Sequence, residues 1–128
     1  MPNLSSWSPT VLGLLRIVTA LVFMLHGTQK MFGIPERMHG MTAAPEMLTL
    51  MWWAGMLEIA GGALILIGLF TRPAAFLLSG MMAVAYWMAH APKNIFPTLN
   101  GGDAAILFCF IFLYLVVAGP GRFSIDRD

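Results

Sequence analysis

Charge is what this sequence has least of. Only 10% of its 128 residues are charged, while 59% are hydrophobic; a soluble domain carries about 25% charge. A chain so composed cannot coat itself with a water-facing surface, which excludes an ordinary soluble enzyme and points to an integral membrane protein. The seven basic residues are scattered singly and the net charge is +1, so there is no basic field and nucleic-acid binding is excluded. Cys109 stands alone in an apolar run. That leaves no disulfide framework, no CxxC dithiol and no zinc knuckle, and any redox role must borrow a cofactor or a partner. A Gly-rich phosphate loop and a Ser/His/Asp set are also missing, and Ser79 has no evident base.

What the chain does have is long apolar runs, the most informative being LMWWAGMLEIAGGALILIGLF, residues 50–70, with Glu58 at its centre. A spanning helix needs about 20 apolar residues, and an acid at its midpoint must be protonated, paired or turned toward water. Glu58 is therefore either a proton- or substrate-handling carboxylate or an acid that pins one helix to another. Four spans are expected, at about 10–32, 47–70, 73–91 and 103–118, as one four-span membrane domain. The fold class is all-α, an integral membrane antiparallel four-helix bundle. The first apolar run lacks a basic n-region and is interrupted by Arg16, so it is read as a retained span rather than a signal peptide. Thr10 is a candidate N-cap for it. Its polar residues Arg16, Thr19, His26 and Lys30 fall within an arc of roughly 80° together with Phe23, a face that must point into the bundle. Small residues Ala54, Gly55, Gly61 and Gly62 around Glu58 permit close helix approach.

Loops 33–46 and 92–102 are rich in Gly and Pro, and the tail GPGRFSIDRD is polar. Asp103 opens the last span, where a helix N-terminus favours a carboxylate. Antiparallel threading gathers His26, Lys30, His90, Lys93 and Asp103 at the end carrying the two long loops. Arg16 and His26 each lie about five residues from the middle of the first span, hence about 7 Å from the level of Glu58, and either can pair with it. The candidate ligand or proton pocket is thus Arg16, His26, Lys30, Glu58, His90 and Asp103, with no catalytic residue assigned and no metal expected. Arg16, Arg72, Arg122 and Arg127 on the terminal side against Lys30, Arg37 and Lys93 on the other give a four-to-three bias toward cytoplasmic termini.

Weaker patterns also run through the chain. HGTQKMFG and HAPKNIFP share a His, a Lys, a Phe and a breaker at similar offsets, a hint of a parallel duplication. His26 and His90 as axial haem ligands lie at different depths. Glu36 and His39 have ExxH spacing but sit in a Pro/Gly loop, and the eleven methionines are better read as membrane filler than as a copper site. Cys109 reads as a small core residue.

The assembled motifs resemble the DoxX-like family of small bacterial membrane proteins. The carrying stretches are LLRIVTALVFMLHGTQKMFG (14–33), EIAGG (58–62) with GLFTRPAA (68–75), HAPKNIFPTLNGGDAA (90–105) and GPGRFSID (119–126). Asp103 stands where such proteins commonly have Glu. The resemblance implies a four-helix protein of the bacterial inner membrane, with relatives that include the membrane subunit of thiosulfate:quinone oxidoreductase and others tied to oxidative-stress complexes. The resemblance fixes the fold class better than the activity; the ligand expected is a quinone, with no cofactor bound covalently, membrane lipid is the surroundings, and a soluble or membrane redox partner or a second copy are the candidate partners. More distant relatives are non-enzymatic cargo receptors and chaperones. Three functions are therefore carried forward: a quinone-binding subunit of a redox system, a scaffold or chaperone, and a small-solute or lipid transporter with a coupling carboxylate. A quinone headgroup needs hydrogen-bond donors, which His26, His90, Lys30 and Arg16 supply, and a proton relay, for which Glu58 and Asp103 stand.

Overall fold

The computed structural model describes residues 3–38 and 40–127; His39, and with it the Glu36–His39 pair, lies outside the described residues. A short helical turn, Ser5–Trp7, leads into α1, Ser8–Phe32. Pro9 falls in its first turn, where the missing N–H has no partner to lose, so the helix starts ahead of Thr10 and Thr10 does not cap it. Gly33, left-handed at φ 68°, ends it. α2, Leu50–Ile67, is capped by Thr49, whose hydroxyl accepts from the Trp52 amide at 3.3 Å. That cap, preceded by left-handed Leu48, starts the helix three residues later than hydropathy alone places it. α3, Thr71–Ala85, runs on into a π-helical turn, Tyr86–His90. One turn of helix, α4, Pro97–Asn100, precedes α5, Asp103–Ala118.

The architecture is all-helical among the described residues, with α1 packed chiefly on α2 and α3 on α5, and α2 meeting α3 between the pairs. Phe23 sits at the centre, edge-on to Phe108 at 5.2 Å and to Phe112 at 4.9 Å, a favoured aromatic geometry. Ala20, Ile65, Ala75, Leu78 and Leu115 complete the core. The outer faces are no less apolar: Val18, Leu21, Leu25, Phe76, Leu77, Phe110 and Val117 are all exposed. Such a continuous apolar skin is stable only against lipid or another apolar surface. α1 and α2 are each long and apolar enough to cross a membrane.

Glycine sets the register between α1 and α2. A Cβ on Gly27 would come within 3.0 Å of both Glu58 Cβ and the Gly55 carbonyl, and one on Gly55 within 2.7 Å of Met31 Sδ. The helices touch backbone to backbone, and any side chain at these positions would push them apart. Gly27 therefore lies opposite Glu58. Five residues separate Gly27 from the end of α1, about 8 Å, so Glu58 sits toward the long-loop end and not at the middle of the pair.

The polar tail is folded against the bundle. Arg16 is completely buried; its Nη1 donates to the carbonyls of Pro120 and, at 3.0 Å, Arg122, and its Nη2 donates to that of Phe123 at 2.6 Å. The Arg122 amide returns a bond to the Pro9 carbonyl at 3.0 Å. Further on, the Ile125 and Asp126 amides bond the Ile67 and Gly68 carbonyls at 3.1 and 2.8 Å, satisfying the end of α2. The Asp126 carboxylate accepts from the Phe70 and Thr71 amides at 3.0 and 2.8 Å, at the start of α3. Arg72 adds bonds of 2.8 and 2.9 Å to the Val116 and Val117 carbonyls at the end of α5.

Two outcomes follow for stability. Arg16→Met leaves three tail carbonyls without their charged donor and is expected to cost about 3 kcal/mol, read as a lower melting temperature in detergent and faster proteolysis of the tail. Burial opposes ionisation of Asp126, but the Thr71 and Phe70 amides and the Arg16 charge hold its carboxyl below the usual range. A depressed folded-state pKa contributes stability that is present above the unfolded value, about 4, and is lost as pH falls through the lower folded value. Melting curves taken below about pH 4 should therefore fall more steeply for the parent protein than for Asp126→Asn.

Candidate functional site

The six residues singled out from the sequence do not form one cluster. Lys30 and Glu58 do meet: Lys30 Nζ stands 2.5 Å from Glu58 Oε1, the single ion pair among the described residues. Glu58 is buried, and the Lys30 side chain keeps 16% of its surface exposed. Neither expected partner of Glu58 reaches it. Because Gly27 is opposite Glu58, the residue one turn further along α1 is Lys30, whereas Arg16 lies eleven positions away, about 16 Å along the helix, and is committed to the tail carbonyls. His26 is turned to the other side and meets Phe108 edge-on at 5.5 Å.

His26 and Lys30 nevertheless share a face of α1, being four residues apart. The imidazole makes no hydrogen bond among the described residues, and its nitrogens are not among the sealed, unpartnered polar atoms; they stand open to a ligand. Met31 closes on Gly55 beside the pair, and Arg37 from the first long loop donates to the Lys30 carbonyl at 2.9 Å, tying that loop to the end of α1. The site is thus a buried acid, a partly exposed ammonium and an imidazole without a hydrogen bond, the last resting on the buried Phe108. Removing one member of a buried ion pair strands the other, at about 3 to 5 kcal/mol.

The remaining candidates lie elsewhere. His90, on the π-turn after α3, bonds through Nδ1 to the Asn100 carbonyl at 3.1 Å. Asp103 is exposed in the first turn of α5 and makes no hydrogen bond or ion pair among the described residues. A cavity of about 630 Å³ on the outer face between α1 and α5, lined by Leu4, Trp7, Val11, Leu15 and Tyr114 among others, takes in none of the six. Sequence reasoning missed Asn100, buried at the foot of α5, and Asp126 in the tail. Asn100 carried a signal, the LNGG run, which the rule for Asn-Gly turns absorbs; Asp126 closes the GPGRFSID motif, which says nothing of what its carboxylate bonds.

Comparison with known proteins agrees with this architecture. A family model described as DoxX matches residues 11–91. The chain is 43% identical to an uncharacterised protein of Haemophilus influenzae, over 99% of this chain and 96% of that one. It is 30% identical to the inner membrane protein YqjF of Escherichia coli, covering 88% and 86%, and 28% identical to the inner membrane protein YphA of the same organism, covering 93% and 90%. No solved structure matches. With the apolar skin, the interior polar face of α1 and these relatives in hand, the chain is a membrane protein and belongs to the DoxX family.

Proposed function

We propose that this protein is a multi-pass subunit of a redox system in the bacterial inner membrane, with cytoplasmic termini, and that it binds a quinone-like amphiphile at the Lys30–Glu58 end of α1 and α2. The observation that carries this reading is the buried Lys30–Glu58 pair with the unengaged His26 ring beside it. A quinone carbonyl needs a donor. Lys30 has three N–H groups and gives one to Glu58, and His26 adds a second donor group when its open nitrogen is protonated. Phe108, buried in the core, holds the His26 ring edge-on at 5.5 Å and so fixes where its nitrogens stand. The residues present fit such a ligand, Lys30 and His26 holding its oxygens and Glu58 receiving or supplying a proton through Lys30. When bound, a quinone supplies two-electron chemistry that this chain lacks, with electrons delivered by a soluble or membrane partner.

A scaffold or chaperone reading is favoured by a different observation: Arg16, completely buried, spends both its terminal nitrogens on holding the tail. Titration separates the two. Ligand that binds only the folded state raises its stability, by about 2.7 kcal/mol at a hundredfold excess over Kd, so a short-chain quinone should raise the melting temperature by several degrees in detergent. Lys30→Met with Glu58→Leu removes both charges of the pair together, a change that buried pairs commonly tolerate. This double variant should fold and lose at least tenfold in quinone affinity. An unmoved melting temperature in the parent protein, or undiminished affinity in the double variant, would overturn the redox reading and leave the scaffold.

A further inference from the structure

A second polar cluster stands on other helices, around Asn100. Asn100 is 3% exposed and its side chain is fully engaged. Nδ2 donates to Tyr86 Oη at 3.1 Å and to the Asn94 carbonyl at 2.9 Å, and Oδ1 accepts from the Gly102 amide at 2.8 Å. Its main-chain oxygen takes His90 Nδ1. Each of these bonds has a fixed direction. A carbonyl oxygen has no hydrogen to give, so His90 Nδ1 carries the proton and Nε2 of the neutral ring keeps its lone pair. An amide nitrogen has only hydrogens to give, so Tyr86 Oη accepts there and its own hydrogen is turned elsewhere, with no acceptor among the described residues.

Asn100 thereby makes one neighbouring ring a donor and the other an acceptor. The rings lie 6.4 Å apart with planes within 28°, on the π-turn Tyr86–His90, and His90 Nε2 is not among the sealed polar atoms. Trp87, Met88, Ile95 and Phe96 are exposed near them in sequence and make the surroundings apolar.

We propose that Tyr86 and His90 bind an amphiphile through a hydroxyl on an aromatic ring, the hydroxyl oxygen accepting from Tyr86 and its hydrogen going to His90 Nε2. A hydroxyl carries both the acceptor that Tyr86 Oη calls for and the hydrogen that His90 Nε2 calls for. A quinone carbonyl or a methyl ether has no hydrogen to give, so it leaves Nε2 unfilled, and the site selects the reduced form of the ligand class. The inference rests on the preceding reading for that class, and adds a selectivity that the donor-lined Lys30 end does not have. It needs no electron transfer, since only binding is claimed.

The test is ¹⁵N-histidine NMR on the full chain in detergent under anaerobic conditions, with a short-chain hydroquinone, its quinone and its dimethyl ether as probes. The His90 signals are identified by their loss in His90→Asn, whose amide nitrogen keeps the donor to Asn100. Without ligand, Nε2 should resonate as an unprotonated nitrogen. Hydroquinone should shift it with a Kd about tenfold tighter than the ether, the factor expected of one hydrogen bond, and Tyr86→Phe should weaken hydroquinone several-fold. A protonated Nε2, or equal responses to all three probes, overturns the inference. Because the signal is local to His90, the two readings fail separately: quinone stabilisation lost with Lys30 and Glu58 alongside a silent His90 sinks only this one, while a selective His90 signal with no quinone stabilisation sinks only the other.

Discussion

The close approach of α1 and α2 is the constraint from which the rest of the loop end follows. Gly27 and Gly55 let the two backbones touch, and that contact decides which side chains stand opposite one another. Lys30 faces Glu58 because Gly27 does. In a setting with little water, an acid so placed keeps its charge only beside a cation, and the contact between helices supplies one at bonding distance. The ion pair is thus a result of the packing as much as a cause of it. Phe23, one turn before Gly27, then falls against Phe108 and Phe112, which joins this helix pair to the other.

The two ends of the bundle use their polar residues differently. At the terminal end three charged side chains are bonded to main chain, Arg16 to the tail, Arg72 to α5 and Asp126 to the start of α3, while Arg16 Nε and Thr71 Oγ1 are buried there without a partner among the described residues. The three bonded side chains do what caps do. At the loop end the accounting is incomplete, since His26 is unbonded and Tyr86 and His90 each have a valence to spare. Both proposed sites draw on the side chains of that end.

The helical architecture was legible in the sequence because hydropathy and Gly/Pro breakers act locally. The arc shared by Arg16, Thr19, His26 and Lys30 also read correctly as an interior face, since helix geometry fixes it without a partner. The pairing across helices was not legible. Assigning Arg16 or His26 to Glu58 assumed that the middles of two spans align, and the glycine contacts shift them instead. The tail was missed for a related reason: a polar segment with Gly and Pro reads as solvent-exposed, and nothing local reveals that a buried arginine more than a hundred residues earlier waits for its carbonyls. Asn100 shows the limit of turn rules, because Asn-Gly predicts the bend and says nothing of where the amide points.

The helices also differ in length. α1 has 25 residues and α5 has 16, which at 1.5 Å per residue is about 38 Å against about 24 Å, on either side of the roughly 30 Å hydrocarbon layer. A bilayer crossed by both would have to lean the longer helix and thin beside the shorter one, so the mismatch between α1 and α5 would make the lipid annulus uneven around the bundle.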